Sequence, residues 1–254
     1  MSGRPYILAE STWKDVESTE YTVAVLPWGA TEAHNRHLPY GTDTVESEHL
    51  AADAARIAWE SGARVVVLPT VPFGVNTGQL DIKLCLNMNP STQAALLSDL
   101  VGSLERQQVR KLVLLNGHGG NDFRQMIREL QPRTKVFLCS INWYQCVNAM
   151  QYFAEPGDHA GELETSVMMH LAPDLVRPLS EAGDGQARRF RLAGLREGWV
   201  WAPREWKHVT TDTGVGNPRA ASPDKGATYA DAVTRKIATF LIELASADVN
   251  DMYE

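Results

Sequence analysis

Cysteine is scarce. Cys85, Cys139 and Cys146 are the only three among 254 residues. Three scattered thiols exclude a disulfide framework and a cysteine-based zinc site, and suit buried apolar positions in a reducing compartment. The chain also lacks any run of about 18 apolar residues, which excludes a transmembrane helix. Its first stretch, MSGRPYILAESTWKD, has no apolar signal-peptide core, so the expected location is the cytoplasm. Excess positive charge is missing too: 24 Lys and Arg stand against 31 Asp and Glu, a formal charge of −7. That balance argues against nucleic acid or an anionic membrane as the main partner. No internal repeat and no low-complexity segment occurs.

What is present is a chain with 44% hydrophobic residues, enough for a sizeable core, expected as one domain over 1–254. Short β-branched runs recur at 22–27 (TVAVLP), 63–69 (ARVVVLP), 111–115 (KLVLL) and 135–141 (KVFLCSI). Helical patterns follow at about 44–60, 90–108, 121–131, 161–171 and 225–246. Strands alternating with helices predict an α/β fold with a mostly parallel sheet covered on both faces. Two stretches fit poorly. Residues 71–89 read as an active-site or interface excursion. Residues 184–217 hold Trp199, Trp201, Trp206 and many arginines, the composition of a lid, a pocket wall or a subunit contact, or equally of an ordinary packed hairpin.

Ligands of open α/β sheets bind beyond the carboxyl ends of the strands, and two unusual loops fall there. WGATEAHNRHLPYGTD (28–43) carries Glu32, His34, His37 and Asp43, and NGHGGN (116–121) carries His118. A third group, GDHAGELETS (157–166), brings His159, Glu162 and Glu164 to a helix start. Each has a plainer reading. Asp43-Thr44-Val45-Glu46 has the form of a capping box. A single His118 suits a hydrogen-bonded turn. Acids such as Glu162 and Glu164 favour a helix N-terminus. NGHGGN lacks the spacing of a phosphate loop, and its glycines suit a close backbone approach to a filled site. Together, mixed Asp, Glu and His donors without Cys suit Zn²⁺, Mn²⁺ or Fe²⁺. An Asp able to bridge, with a carboxylate and a His on each side, is what a two-metal site needs, its ions roughly 3.5–4 Å apart.

The residues carry a family resemblance. LPWGATEAHNRHLPYGTDT, LLNGHGGN, DHAGELETS and TGVGNPRAASPDKG occur in this order, and over about residues 20–235 the chain resembles the creatininase (creatinine amidohydrolase) family. The resemblance implies a three-layer α/β/α sandwich, a two-metal centre, frequent hexamers and hydrolysis of cyclic or linear amides. It implies metal ligation by Glu32, His34, Asp43, His118 and Glu164, with Asp43 as the bridge. His159 matches a histidine near the substrate, a proton donor or acceptor, and Glu162 is grouped with it as a catalytic candidate that either orients it or only occupies the helix start. His37 is read as supporting a ligand from behind. Asn116 and Asn121 are read either as hydrogen-bonding partners of substrate or ligand, or as turn residues.

Departures from the creatinine-hydrolysing pattern are specific. A Tyr and a metal-binding Glu are expected after the middle histidine, where this chain has Gly119 and Gly120. A Trp-Asp pair is expected before the late histidine, where Glu155, Pro156 and Gly157 stand. GVNTGQLDIKLCLNMNPST also lacks the histidine and the Gly-Thr pair of many relatives. Creatinine itself is therefore not the expected substrate. The expected activity is a metal-dependent amidohydrolase that cleaves a small-molecule C–N bond other than a peptide bond by a metal-bridged hydroxide, in a homohexamer with two Zn²⁺ or Mn²⁺ ions (Fe²⁺ also compatible). Two alternatives stand beside it: cleavage of a C–C or ester/lactone bond in a carbohydrate-type substrate at the same site, and a non-catalytic metal-binding partner protein.

Overall fold

A computed structural model describes residues 3–254; Met1 and Ser2, the start of the stretch read for a signal peptide, lie outside the described residues. The strands are β1 (Val23–Trp28), β2 (Val65–Val67), β3 (Lys111–Asn116) and β4 (Phe137–Asn142). The helices are α1 (Trp13–Glu17), α2 (Thr42–Glu60), α3 (Pro90–Arg106), α4 (Arg124–Leu130), α5 (Glu162–Leu171), α6 (Ala193–Glu197), α7 (Trp206–Val209) and α8 (Pro223–Ser246). No helix among the described residues is long and apolar enough to cross a membrane.

The sheet is parallel throughout, in the order β2-β1-β3-β4. The middles of β1, β2 and β3 read as unbroken apolar runs because both faces are covered, and successive side chains serve opposite cores. Val23, Val25, Val65, Val67, Val113 and Leu115 pack with Leu50, Ala54 and Ala58 of α2, Val167 of α5 and Val233, Ile237 and Leu241 of α8. Ala24, Leu26, Trp28, Val66, Leu112 and Leu114 pack with Leu97, Val101 and Leu104 of α3 and Met126 of α4. The result is the three-layer α/β/α sandwich expected from the sequence.

Element ends follow local chemistry. α8 begins at Pro223, with the Ser222 hydroxyl accepting the Lys225 amide (3.3 Å), the Ser-Pro start that helices favour; this is two residues before the expected start. At its other end the buried Lys111 ammonium donates to the carbonyls of Leu244 (2.6 Å), Ala245 (3.1 Å) and Ala247 (2.7 Å), a cation on the negative helix end. α2 begins at Thr42, two residues earlier than a capping Asp43 requires. Gly41 precedes it and Asp43 lies inside the first turn without a capping bond. The capping-box reading is thereby corrected, and Glu46, its other half, is buried with neither carboxylate oxygen hydrogen-bonded.

The winding positions the site. β1 leads into α2 on one face and β3 leads into α4 on the other, so the loops beyond neighbouring strand ends part and leave a crevice between them. Residues 71–89 cross this opening through bridges Trp28–Val71, Thr31–Leu86 and Gly74–Asn87. The segment 184–217 is mostly irregular, with α6 and α7 as its only helices longer than one turn among the described residues.

Candidate metal centre

Glu32 and His34 come from the loop after β1, Asp43 from the first turn of α2, His118 from the loop after β3, His159 from the loop just before α5 and Glu164 from the first turn of α5. All but Glu164 are buried, and Glu164 is partly exposed to the cleft. Three groups have ligand atoms all within 4.8 Å of one another: Glu32 with Asp43 and His118; His34 with Asp43 and Glu164; Glu32 with His34 and His159.

Each histidine commits one ring nitrogen to a backbone carbonyl. His34 Nδ1 donates to Glu32 O (3.1 Å), His118 Nε2 to Val75 O (3.0 Å) and His159 Nε2 to Ala33 O (2.8 Å). A carbonyl only accepts, so the other nitrogen of each ring carries the lone pair, or a titratable proton, and it points inward. His34 Nε2 lies 2.9 Å from Asp43 Oδ1. His118 Nδ1 lies 2.8 Å from Glu32 Oε1 and 3.0 Å from Asp43 Oδ2. His159 Nδ1 lies 3.8 Å from Glu32 Oε1. This backbone anchoring is how metal-binding histidines are held in one tautomer.

Asp43 joins the groups, with Oδ1 turned to His34 and Oδ2 to His118. Oδ2 is buried yet has no aligned hydrogen-bond donor. A buried carboxylate oxygen left in that state calls for a cation. The donor set, oxygen and imidazole nitrogen without sulfur, fits Zn²⁺ or Mn²⁺. The residues present therefore fit divalent ions of this kind, and Asp43 belongs to two of the three donor groups.

The electrostatics agree. Burial opposes charge on His34, but Asp43, Glu32 and Glu164 outweigh it and lift the imidazole to about 10. Burial likewise opposes charge on His118, and Glu32 and Asp43 raise its pKa well above the ordinary value. Asp43 is held well below the usual carboxylate range: burial pushes it up, and His34 and His118 more than offset that. Burial pushes Glu164 up, with His34 and His159 opposing only in part. Without ions, the raised histidines and the ionised Asp43 hold this cluster together by opposite charge.

Two of the expected candidates lie elsewhere. Glu162 makes no contact with His159: it pairs with Lys225 of α8 (2.5 Å) and accepts the Glu155 amide (3.0 Å). Its expected catalytic role is corrected to a tie between α5, α8 and the preceding loop. His37 bonds through Nε2 to Thr165 Oγ1 (2.8 Å), beside Glu164 rather than on a ligand, and burial pulls its pKa down to about 4. Asn116 and Asn121 lock the His118 loop. Asn116 Nδ2 donates to His118 O (2.9 Å) and its Oδ1 accepts His118 N (3.1 Å), while Asn121 Oδ1 accepts from Val75 N (3.1 Å) and Gln93 Nε2 (2.8 Å).

Gly120 explains one departure noted in the sequence. A Cβ there would lie 2.2 Å from Val75 O and 2.4 Å from His118 Nε2. No side chain, and so no ligating Glu, fits without breaking the His118–Val75 bond. At Gly119 a Cβ would meet nothing within 4 Å, so that position opens onto the cleft. The cleft measures about 910 Å³, and its outer wall includes Trp201, Arg204 and Trp206. Trp206 packs edge-on against the His159 ring (4.7 Å). The sequence flagged this segment without singling out Trp206. It gave no motif at all for Gln79, whose amide bonds Glu32.

The chain matches the creatininase family, described as creatinine amidohydrolase, over residues 9–241, and it belongs to that family. It is similar to a crystal structure of a candidate creatinine amidohydrolase from Bacteroides fragilis NCTC 9343, with 44% identity and a TM-score of 0.93 over 99% of each chain. It is 28% identical over 251 residues to the mycofactocin precursor peptide peptidase of Mycobacterium tuberculosis H37Rv, covering 92% of this chain and 91% of that one. Structures of creatininase, one a manganese form and one a zinc–zinc form of a mutant, share the fold at 24% identity and a TM-score of 0.77, over 95% of this chain and 99% of theirs.

Proposed function

We propose that this protein is a metal-dependent hydrolase of an amide C–N bond, working with two divalent ions, zinc or manganese. The observation that carries the reading is Asp43, which turns Oδ1 to His34 and Oδ2 to His118, with no aligned hydrogen bond to Oδ2. Glu32 and His118 would complete one ion's protein ligands, and His34 and Glu164 the other's. The manganese and zinc–zinc creatininases support the choice of ions. Bound there, such ions supply a carbonyl polariser and acidify water into the neutral range.

The chain's own residues do the rest. His159 keeps its Nε2 proton on Ala33 O (2.8 Å), so Nδ1 is the nitrogen that exchanges protons. Nδ1 points to the centre beside the cleft, placed to deliver a proton to the departing nitrogen of the amide. The ring packs against the rings of His34 (4.1 Å between centroids) and Trp206 (4.7 Å). Glu32, held by His118 and Gln79, remains ionised beside it.

A peptide is the second reading of the substrate. The cleft's roughly 910 Å³ lies near the top of the range of about 300–1,000 Å³ for ligand pockets, and Trp201 stands 84% exposed at its outer wall. The mycobacterial peptidase supports this alternative. The deciding experiment loads metal-stripped protein with Zn²⁺ or Mn²⁺ and assays small cyclic amides, linear amides, short peptides and lactones side by side. Metal-dependent release of an amine or ammonia supports the proposal. Full activity in thoroughly stripped protein, or hydrolysis of lactones alone, overturns it. The hexamer implied by the resemblance belongs to the same proposal, and light scattering on the full chain tests it.

A further inference from the structure

The two oxygens of Glu32 have different surroundings. Oε1 faces the histidines, 2.8 Å from His118 Nδ1 and 3.8 Å from His159 Nδ1. Oε2 is turned away and accepts a hydrogen bond from Gln79 Nε2. The direction of the Gln79 amide is itself fixed, because its Oε1 accepts the Cys85 thiol proton (3.3 Å). Burial pushes that thiol's pKa up, so it remains a donor. The Cys85 sulfur in turn accepts the backbone amide of Ala33 (3.2 Å), the residue after Glu32. The chain of bonds thus returns to where it began.

The relay is buried along its length: Glu32, Gln79 and Cys85 are all less than one tenth exposed. Its base is rigid. Gln79 ends the tight turn Thr77–Gln79. Asn76, just before that turn, accepts no freedom of its own, since its amide nitrogen bonds Asn87 Oδ1 (2.8 Å) and its side chain donates to Leu86 O (3.1 Å). Residues 74 and 86–87 are bridged to this same loop and to Thr31.

From this geometry we infer that Gln79 is a positioning residue of the metal centre, holding Glu32 by Oε2 so that only Oε1 is offered to the ions, with Cys85 setting the direction of its amide. The inference rests on the two-ion reading proposed above. A carboxylate free at both oxygens can rotate and chelate one ion with both. Tethered at one, it is a single-atom ligand that stays where Asp43 and His118 need it. A neutral amide supplies that tether without cancelling the carboxylate's charge, which a lysine in its place would do. The position comes from the 71–89 excursion, so that segment contributes to the centre and not only to the cleft wall.

The test is a zinc titration of the metal-stripped full chain by calorimetry, with the Co²⁺ absorption spectrum as a second readout. Wild type, Gln79→Leu, Cys85→Ser and Cys85→Ala are compared. In Gln79→Leu, one of two Zn²⁺ ions should bind about ten- to hundredfold more weakly, the usual effect of losing a group that orients a ligand. The other ion's affinity should hold, and the cobalt spectrum should shift. Cys85→Ser keeps a donor and an acceptor and should match wild type, whereas Cys85→Ala should weaken the same single ion. This pair keeps the idea open to refutation if Gln79→Leu folds poorly. Two ions bound at wild-type affinity in Gln79→Leu, with an unchanged cobalt spectrum, overturn the positioning role alone. Equal weakening of both ions, with Cys85→Ser as impaired as Cys85→Ala, overturns it as well, because the damage is then structural. A wild type that binds no zinc overturns the functional reading, and this inference with it.

Discussion

Binding of ions to this centre should expel protons, and the structure says how many. In the metal-free protein His34 has a pKa of about 10, and His118 is likewise raised, because buried carboxylates hold their imidazolium forms. At pH 7 both rings therefore carry a proton on the inward nitrogen, 2.9 Å from Asp43 Oδ1 for His34 and 2.8 Å from Glu32 Oε1 for His118. An ion takes the place of that proton. Filling both sites at pH 7 should release about two protons, one from each ring. Removing the His34 proton about three pH units below its pKa costs about 4 kcal/mol. The product of the two binding constants should rise about a hundredfold per pH unit near neutrality. Calorimetric zinc titrations in buffers of different ionisation enthalpy give the proton count directly. The sign for stability is opposite without metal. A raised histidine pKa stabilises the fold fully below about 6.5 and loses that contribution as pH rises through about 10. Metal-free protein should therefore lose stability across that window while loaded protein gains relative to it, a divergence visible in melting temperatures. Zinc binding with no proton release, or with affinity flat between pH 6.5 and 8.5, refutes the reasoning.

Four further outcomes follow from particular contacts. His159→Ala should keep both ions, measured by metal analysis, while turnover of the best amide substrate falls about 10²- to 10⁴-fold, the usual contribution of a positioned acid. Glu162→Gln should leave metal content and turnover near wild type but lower unfolding stability by about 1–3 kcal/mol in denaturant titrations, because it loosens the bonds to Lys225 and Glu155. Gly120→Ala should lose the ion that His118 holds, seen as a fall in metal per chain, since its methyl group would crowd Val75 O and the His118 ring. Lys111→Met should cost about 1.5–3 kcal/mol of stability with metal content unchanged, because three carbonyls at the end of α8 lose their shared donor.

The sheet was legible because parallel strands buried on both faces must be apolar through their middles, as VAVLPW and the LVLL of KLVLLN are. Helix starts shifted by a residue or two for a reason that pattern reading weighs poorly. A metal-preferring Asp and a capping Asp look the same in DTVE, and only the course of the backbone past Gly41 separates them. The donor cluster was readable for a related reason. Histidines and carboxylates in glycine-broken loops at strand ends have few other uses, and Glu32, His34, Asp43, His118 and Glu164 do converge. What escaped is the layer behind them. Glu162 has the polarity and spacing of a catalytic partner, yet a helix start turns side chains two residues apart toward different neighbours, so Glu164 faces the centre and Glu162 faces Lys225. Gln79 and Cys85 carry no pattern at all, because an amide and a thiol act here only through where a long excursion sets them down.

That asymmetry bears on how the family varies its substrates. The donors are fixed by the strand ends and by the first turns of α2 and α5, elements tied to the two cores. The walls are not. Gly119 opens the cleft where creatinine-hydrolysing relatives are expected to place a tyrosine, and Gly120 admits no side chain because the His118 ring and Val75 O already fill its space. The aromatic surface beside His159 comes instead from Trp206, more than forty residues later in the chain. A centre held by the sheet and by residues 71–89 can stay fixed while the wall from residues 199–206 changes. Exchanging residues 199–206 should therefore alter which substrate is cleaved while metal content stays at the wild-type value. Loss of both ions in such a chimera would show instead that wall and centre are one unit.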